Sequence, residues 1–396
     1  MTIYLDHAAT TPMRREVLDA MLPYLTDHYG NPSSIHGPGR RARQGLDESR
    51  ETVADVLGAK PREVIFTSGA TENDNLAIAG IAWAASARGR HLVTTAVEHR
   101  AVLQTCAMLE RHGFEVTYLP VDRYGQVDPA AVAEAIGSHT TLVAIGYANN
   151  EVGTIQPVAA IGAICRAAGV ALYTDATQAA AWLPLDVDAL QVDLLGVAAH
   201  KVEGPKGVGA LFVRQGTSLI PQQQGGSQER QRRAGTENVA GIVGLAEALR
   251  LARADAGAMA VEAQRLRDLG ERIRDRLAAI TDGEMTGALP ARLPNNVSWA
   301  FGGLEGGDLV TALDLEGVAA STGSACTSGS TEPSHVLAAM GVSPDRIRGS
   351  LRLTTGRTTT VEEVEAASEL VALCVERVRG ASERAEPAAI PTPAGA

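Results

Sequence analysis

The sequence predicts an α/β fold: a large domain built on a mostly parallel central sheet, joined to a smaller α+β unit. Three observations carry this. Between about residues 50 and 215, seven short apolar runs rich in β-branched residues (EVIFTS, HLVTTAV, FEVTYLP, TLVAIGYA, GVALYTDA, VDLLGVAA and GALFVR) alternate with helical stretches. Strands separated by helices, and apolar throughout, read as a parallel sheet covered on both faces. After Val239 that alternation stops, and the 396-residue length suits two domains.

The elements beyond Val239 follow in order. A helical stretch rich in Arg, Glu, Leu and Ala runs to near Ala279 and reads as one linker helix. Then come the strand NNVSWAF, a helix near Asp308 to Glu316, a polar loop, the strand SLRLTT and a final helix from Val361 to Arg379. In that helix Val364, Ala367, Val371, Cys374, Val375 and Val378 recur at helical spacing and make one apolar face. The tail from Ala381, ending AEPAAIPTPAGA, has the Pro/Ala bias of a disordered terminus.

Composition excludes several classes. A hydrophobic fraction of 45% supplies a core, and the net charge of −11 argues against nucleic acid or an anionic membrane as main partner. No apolar run reaches the length of a membrane span, and the opening MTIYLDHAATTP is not a signal peptide. Four cysteines without a CxxC pair suit a reducing, cytoplasmic location.

Candidate chemistry gathers at predicted strand ends, where such sheets bind ligands. In FTSGATENDNLA, Ser68, Gly69, Ala70 and Thr71 stand between a strand and a helix. Free amides of the first turn and the Thr71 hydroxyl suit a phosphate; the same residues also fit a capping box of Thr71 with Asp74. Asp175 ends one strand, with Gln178 a turn later, and Lys201 follows the next, with His200 beside it. As a lone pair, Asp175 and Lys201 read equally as a salt bridge. With the phosphate loop they form the set that pyridoxal phosphate requires: an imine partner, a ring-nitrogen partner and an anion site.

His99 in TTAVEHRAV opens a helix, as catalyst or cap, and Asn149 and Asn150 sit at another strand end, as ligands or as a turn. Cys106, Cys165 and Cys374 lie in apolar helical contexts, whereas Cys326 lies in STGSACTSGSTEPSH, a Ser/Thr/Gly loop that suits an exposed nucleophile. In SLRLTT, Ser350, Arg352 and Thr354 share one face and Leu351 and Leu353 the other. Arg352 reads as a carboxylate clamp or as part of a solvated face.

Taken together, YLDHAATTP, GNPSSIH, FTSGATENDNLA, EHRAVL, ANNEVGTIQP, DATQA, AHKVEGPKGVGAL, GGSQERQRRAGTEN, GSACTSGSTEPSHVL and SLRLTTGR resemble the cysteine desulfurases of the nitrogenase and iron–sulfur assembly branch. These are class-V aminotransferase-like pyridoxal phosphate enzymes of fold type I. The resemblance covers all but the tail. It implies a large cofactor domain at residues 16–262, a small domain from 1–15 and 263–380, and a tail at 381–396.

It further implies that Lys201 holds the cofactor as an imine, Asp175 pairs with the pyridinium nitrogen, and His99 stacks on the ring and shuttles protons. Gln178 and Asn150 contact the ring oxygen, with Asn150 also near substrate. Ala70, Thr71 and His200 bind the phosphate, joined by Thr236 from a partner subunit of a homodimer. Arg352 holds the carboxylate of L-cysteine, and Cys326 takes its sulfur as a persulfide for a sulfur-acceptor protein. Two positions depart from the family pattern: Ala198 stands where a phosphate-binding Ser is common, and Ser227 where His is frequent. Selenocysteine lyase or another aminotransferase keeps the cofactor without needing the loop thiol. A non-catalytic docking subunit predicts erosion of Lys201, Asp175 and His99, all of which are present.

Overall fold

The computed structural model describes residues 2–323 and 333–385. Cys326 and the tail beyond 385 therefore lie outside the described residues. Strand β1 (Ile3–Tyr4) precedes β2 (Val64–Thr67), β3 (His91–Thr95), β4 (Glu115–Leu119), β5 (Thr140–Ala144), β6 (Ala171–Asp175), β7 (Leu194–Ala198) and β8 (Gly209–Val213). The last seven correspond to the seven predicted runs and form one sheet in the order β2-β8-β7-β6-β5-β3-β4. All neighbouring pairs are parallel except those of β8, which runs antiparallel to both β2 and β7. Six strands thus point their carboxyl ends the same way.

Helices bury both faces of this sheet, which is why its strands read as continuous apolar runs. One face packs Val93, Val143, Leu195 and Phe212 against Leu46, Val53, Leu245 and Leu249. The other packs Leu92, Leu142, Leu194 and Leu211 against Ile78, Ile81 and Val102.

A second core surrounds β9 (Gly283–Met285), β10 (Asn296–Phe301) and β12 (Ser350–Thr354), an antiparallel sheet in the order β12-β10-β9; β11 (Val318–Ala319) pairs with β1. Leu5 from the chain start joins this core, so the first residues belong spatially with the last. The six predicted apolar positions of the final helix are all buried in it. No helix among the described residues is long and apolar enough to cross a membrane.

Two expectations need correction, and one open alternative is decided. The linker helix is two helices, Val239–Arg253 and Ala256–Leu277, because the Asp255 carboxylate accepts from the amides of Gly257 (2.7 Å) and Ala258 (3.1 Å) and starts a new helix. The final helix continues past Arg379 to Ala385, into the stretch expected to be disordered. The polar face of β12 is not solvated: Ser350, Arg352 and Thr354 are as buried as the leucines, since β10 and bridges from Asp6 and Ser321 enclose the strand.

One buried ion pair fixes the segment that returns from β8 over the sheet edge. Arg50 donates to both Glu229 oxygens, at 2.7 and 2.6 Å, and Glu229 also accepts from the Phe66 amide at 2.9 Å. The pair holds Glu229, Arg230 and Gln231 in the left-handed region, at φ 45°, 56° and 63°. Glu229→Ala leaves the Arg50 guanidinium buried and unpaired, so urea unfolding should show a loss of about 3–5 kcal/mol; an unchanged midpoint would show that the pair is dispensable.

Candidate active site

Five strands deliver residues to a cavity of about 600 Å³ at their carboxyl ends. β6 and β7 are adjacent and parallel, with Asp175 opposite Gly196. A single 3-10 turn after β7, Ala199–Lys201, turns Lys201 into the cavity that Asp175 also lines. The Lys201 Nζ donates to the backbone carbonyls of Ala8 and Ala9, the latter at 2.8 Å. Gln178 Nε2 donates to the same Ala8 carbonyl at 3.0 Å. Asp175 is steadied by accepting from the Thr177 amide at 2.9 Å.

At the β2 end, Gly69 adopts φ 144°, a conformation that side chains disfavour, and a Cβ there would meet only open space. The helix Ala70–Ala84 starts at this point and aims its first amides at the cavity, which Ala70 and Thr71 line. The Thr71–Asp74 capping box does not form. Glu72 takes the capping role instead, accepting from the Ser68 amide at 2.7 Å while Arg233 holds its other oxygen at 2.9 Å.

His200 lines the same region, with Nδ1 3.2 Å from the Thr10 hydroxyl. Burial first, and then the charges of Lys201 and Lys206, push its pKa down to about 4. Its ring is therefore neutral at pH 7, able to donate one hydrogen bond. Ala198 is fully buried at the end of β7 opposite Gly209, away from the residues that line the cavity.

The opposite wall holds His99, Asn150 and Arg352. His99 caps the following helix, Nδ1 accepting from the Ala101 amide at 3.2 Å. The two asparagines separate by role. Both line the cavity, but the Asn149 side chain is engaged by the Val97, Glu151 and Val152 backbone. Arg352 donates to the Asn150 carbonyl at 2.9 Å and to Asp6 at 2.8 Å, and its buried Nε has no hydrogen-bond partner among the described residues.

Thr236 does not reach this cavity. It is exposed and lines a separate depression of about 120 Å³ that shares Ser68 and Gly207 with the main one. Cys106, Cys165 and Cys374 are free and buried as expected, and burial raises the thiols of Cys106 and Cys165 to about 12. Sequence reasoning gave no role to Asp6, Ala8 and Ala9, which act through contacts across nearly 200 positions or more, nor to buried Glu98, and it gave buried Asp74 only a capping role. Their only local signal was proximity to the motifs.

The class-V aminotransferase family model matches residues 3–367. The chain belongs to that family. Its relatives include proteins named cysteine desulfurase IscS from Dictyoglomus turgidum, 48% identical over 95% of each chain, and from Methanosarcina thermophila, 49% identical over 96% of this chain and 93% of the other. Among solved structures, one titled NifS-like protein superposes with a TM-score of 0.89 at 36% identity, covering 95% of this chain and all of the other. One titled SspA in complex with cysteine superposes at 0.79, also 36% identical, covering 89% and 98%.

Class-V aminotransferases use pyridoxal phosphate, and the residues present fit it. An amine and a carboxylate meet in one cavity, and the open space at Gly69 fronts a helix N-terminus. Lys201, Asp175 and the Ser68–Thr71 turn are the groups that would hold it.

Glu98 offers a test of the site's electrostatics. Its carboxyl accepts from Thr95 (2.6 Å) and from the Gly146 amide (2.8 Å), yet burial pushes its pKa from 4.5 up to about 7. The unfolded carboxyl loses its proton near 4.5 and the folded one near 7, so the unfolded state binds fewer protons in that window and stability falls as pH rises through it. Glu98→Gln removes this contribution. The wild-type minus variant unfolding free energy should fall between pH 4.5 and 7 and level off above; a flat difference would contradict the raised pKa.

Proposed function

We propose that this chain is a cysteine desulfurase that converts L-cysteine to L-alanine and passes the sulfur to Cys326. The observation that carries the reading is the meeting of Lys201, Asp175 and a helix N-terminus with a buried arginine whose Nε has no hydrogen-bond partner among the described residues. Pyridoxal phosphate, when bound, supplies an aldehyde for amines and a ring that accepts electrons.

The chain's own residues supply the rest. Arg352 is pre-oriented by Asp6 and the Asn150 carbonyl, which leaves its Nε to meet a carboxylate in a site shielded from water. Lys201, held by the Ala8 and Ala9 carbonyls, is placed to attach the cofactor and to move protons at its Nζ. His99 faces the same space and serves as a second proton carrier. The sulfur step balances as cysteine plus the Cys326 thiol giving alanine plus the Cys326 persulfide: the carbon–sulfur bond breaks and a sulfur–sulfur bond forms.

Cys326 lies three residues after Gly323. Gly323 sits against the Glu151 carboxylate, and Ser334 donates to that carboxylate at 2.6 Å, so both flanks of the cysteine segment are anchored next to Asn150. Burial raises the Glu151 pKa to about 7.

We read residues 16–262 as the cofactor domain and 1–15 with 263–380 as the small domain. We read the enzyme as a cytoplasmic homodimer that hands sulfur to an acceptor protein, with Thr236 serving a partner's phosphate site. Exposed Leu25, Tyr29 and Ile35 support the dimer, as does the depression that joins Thr236 to Ser68 and Gly207.

Three variants test this. Lys201→Ala should lose the borohydride-reducible linkage, and Cys326→Ala should keep cofactor and a cysteine-dependent spectral change while alanine release falls by two orders of magnitude or more. Wild-type turnover by Cys326→Ala would favour a selenocysteine lyase or aminotransferase. Arg352→Ala should lower kcat/KM for cysteine roughly a hundredfold, chiefly through KM, with circular dichroism unchanged; an unchanged KM would remove Arg352 from the substrate site.

A further inference from the structure

A second cavity, of about 290 Å³, lies where the two hydrophobic cores meet. Lys201 and Gln178 line it as well as the larger one, so the two cavities share a wall. One side is built from the chain start and the stretch after β12, with His7 and Thr355; the other brings Trp182, Leu251 and Met259. Trp182 packs against both cores, so the cavity sits at a seam that neither core closes by itself. Its volume is near the lower end of small-molecule sites, which run from about 300 to 1,000 Å³. Apart from the shared wall, none of these residues has a part in the scheme above.

Two polar groups on its walls are unengaged. His7 is 6% exposed, and its Nδ1 lies 3.0 Å from the Thr354 carbonyl oxygen, which can only accept; Nδ1 therefore carries the ring proton. Burial lowers the pKa of this imidazole below its ordinary 6.5, which keeps the ring neutral at pH 7. Nε2 is then an acceptor, and it has no hydrogen-bond partner among the described residues. The Trp182 indole N–H has none there either. The charges on the walls, by contrast, are all engaged. Arg14 and Arg357 both pair with Glu203, the latter at 3.2 Å, and Glu262 pairs with Arg265 at 2.8 Å. Lys201 is held by the Ala8 and Ala9 carbonyls, and Asp255 caps its helix. An occupant with a charge of its own would break one of these arrangements or stay unpaired. Zwitterionic cysteine is excluded on the same ground.

We propose that this seam cavity is a binding site for a small, uncharged aromatic molecule carrying one hydroxyl or ring N–H, whose donor meets His7 Nε2 while its ring lies among Trp182, Leu251 and Met259. The side chains suit that occupant. An indole and a thioether both make favourable contacts with an aromatic ring, and a single donor satisfies the one open acceptor. Such a molecule touches both cores at once, so it binds the folded arrangement of the two and stabilises it by mass action. The site is separate from the one that takes cysteine, and it stands whether or not the desulfurase reading does.

The holoenzyme labelled with ¹⁵N-tryptophan is titrated with phenol, with anisole, which lacks the hydroxyl proton, and with benzoate, which adds a charge; Trp182→Phe assigns the Trp182 indole resonance. Phenol should move that resonance with a Kd of about 1 mM or tighter and leave the Trp83 resonance in place. Anisole should bind about fivefold more weakly, and benzoate should not move the resonance at the same concentrations. His7→Phe removes the acceptor and should make phenol and anisole equal. Ala252→Phe, on the cavity wall, should abolish phenol binding and leave cysteine turnover unchanged. A Trp182 resonance unmoved by about 10 mM phenol, or moved equally by all three probes, overturns the proposal. Should His7→Phe fail to fold, Ala252→Phe decides: phenol binding at the wild-type Kd in that variant overturns it.

Discussion

β6 and β7 run parallel with Asp175 opposite Gly196, and that one register is what the site depends on. It sets the end of each strand, and therefore where the carboxylate stops and where the 3-10 turn throws Lys201. A one-residue slip would reverse every side chain on β7 and bury different residues on each face. The apolar side chains that fill both faces of the sheet thus hold the catalytic geometry as well as the fold.

Onto this frame the chain's first dozen residues are laid from outside. Leu5 packs into the second core, Asp6 pairs with Arg352, and the carbonyls of Ala8 and Ala9 accept from Lys201. Backbone carbonyls orient an amine without adding a charge that would compete with Asp175. The same short segment therefore bonds to groups of both cores. Gly209 makes a comparable close approach: a Cβ there would meet the Val197 carbonyl oxygen at 2.7 Å and the Gly69 Cα at 2.8 Å, so β8 passes the Ser68–Thr71 turn only because residue 209 is glycine.

Burial sets the electrostatics of the site. Asp74, Glu98 and Glu151 are all raised, while His200 is lowered, and in each case loss of water is the leading cause. In such surroundings a carboxyl is a proton store and an imidazole a neutral donor.

The sequence by itself determined the sheet, because a strand buried on both faces must be largely apolar at consecutive positions, as the runs other than the edge strand β4, with exposed Glu115 and Tyr118, were. It also placed Asp175, Lys201, His99 and the Ser68–Thr71 turn, since each directly follows such a run and strand ends are where side chains reach a crevice. It misjudged features that depend on what covers an element. The 350–354 face stayed open between a solvated surface and a carboxylate clamp until Asp6, Ser321 and β10 enclosed it, and one long helical pattern concealed the Asp255 cap. Tertiary structure alone decided that Glu72 and not Thr71 holds the turn ahead of the helix, that the Asn149 side chain is spent on backbone, and that Asp74 is buried beside Tyr173. Those assignments rest on hydrogen bonds between residues far apart in the chain or on burial by distant elements, and no local pattern of residue types encodes either.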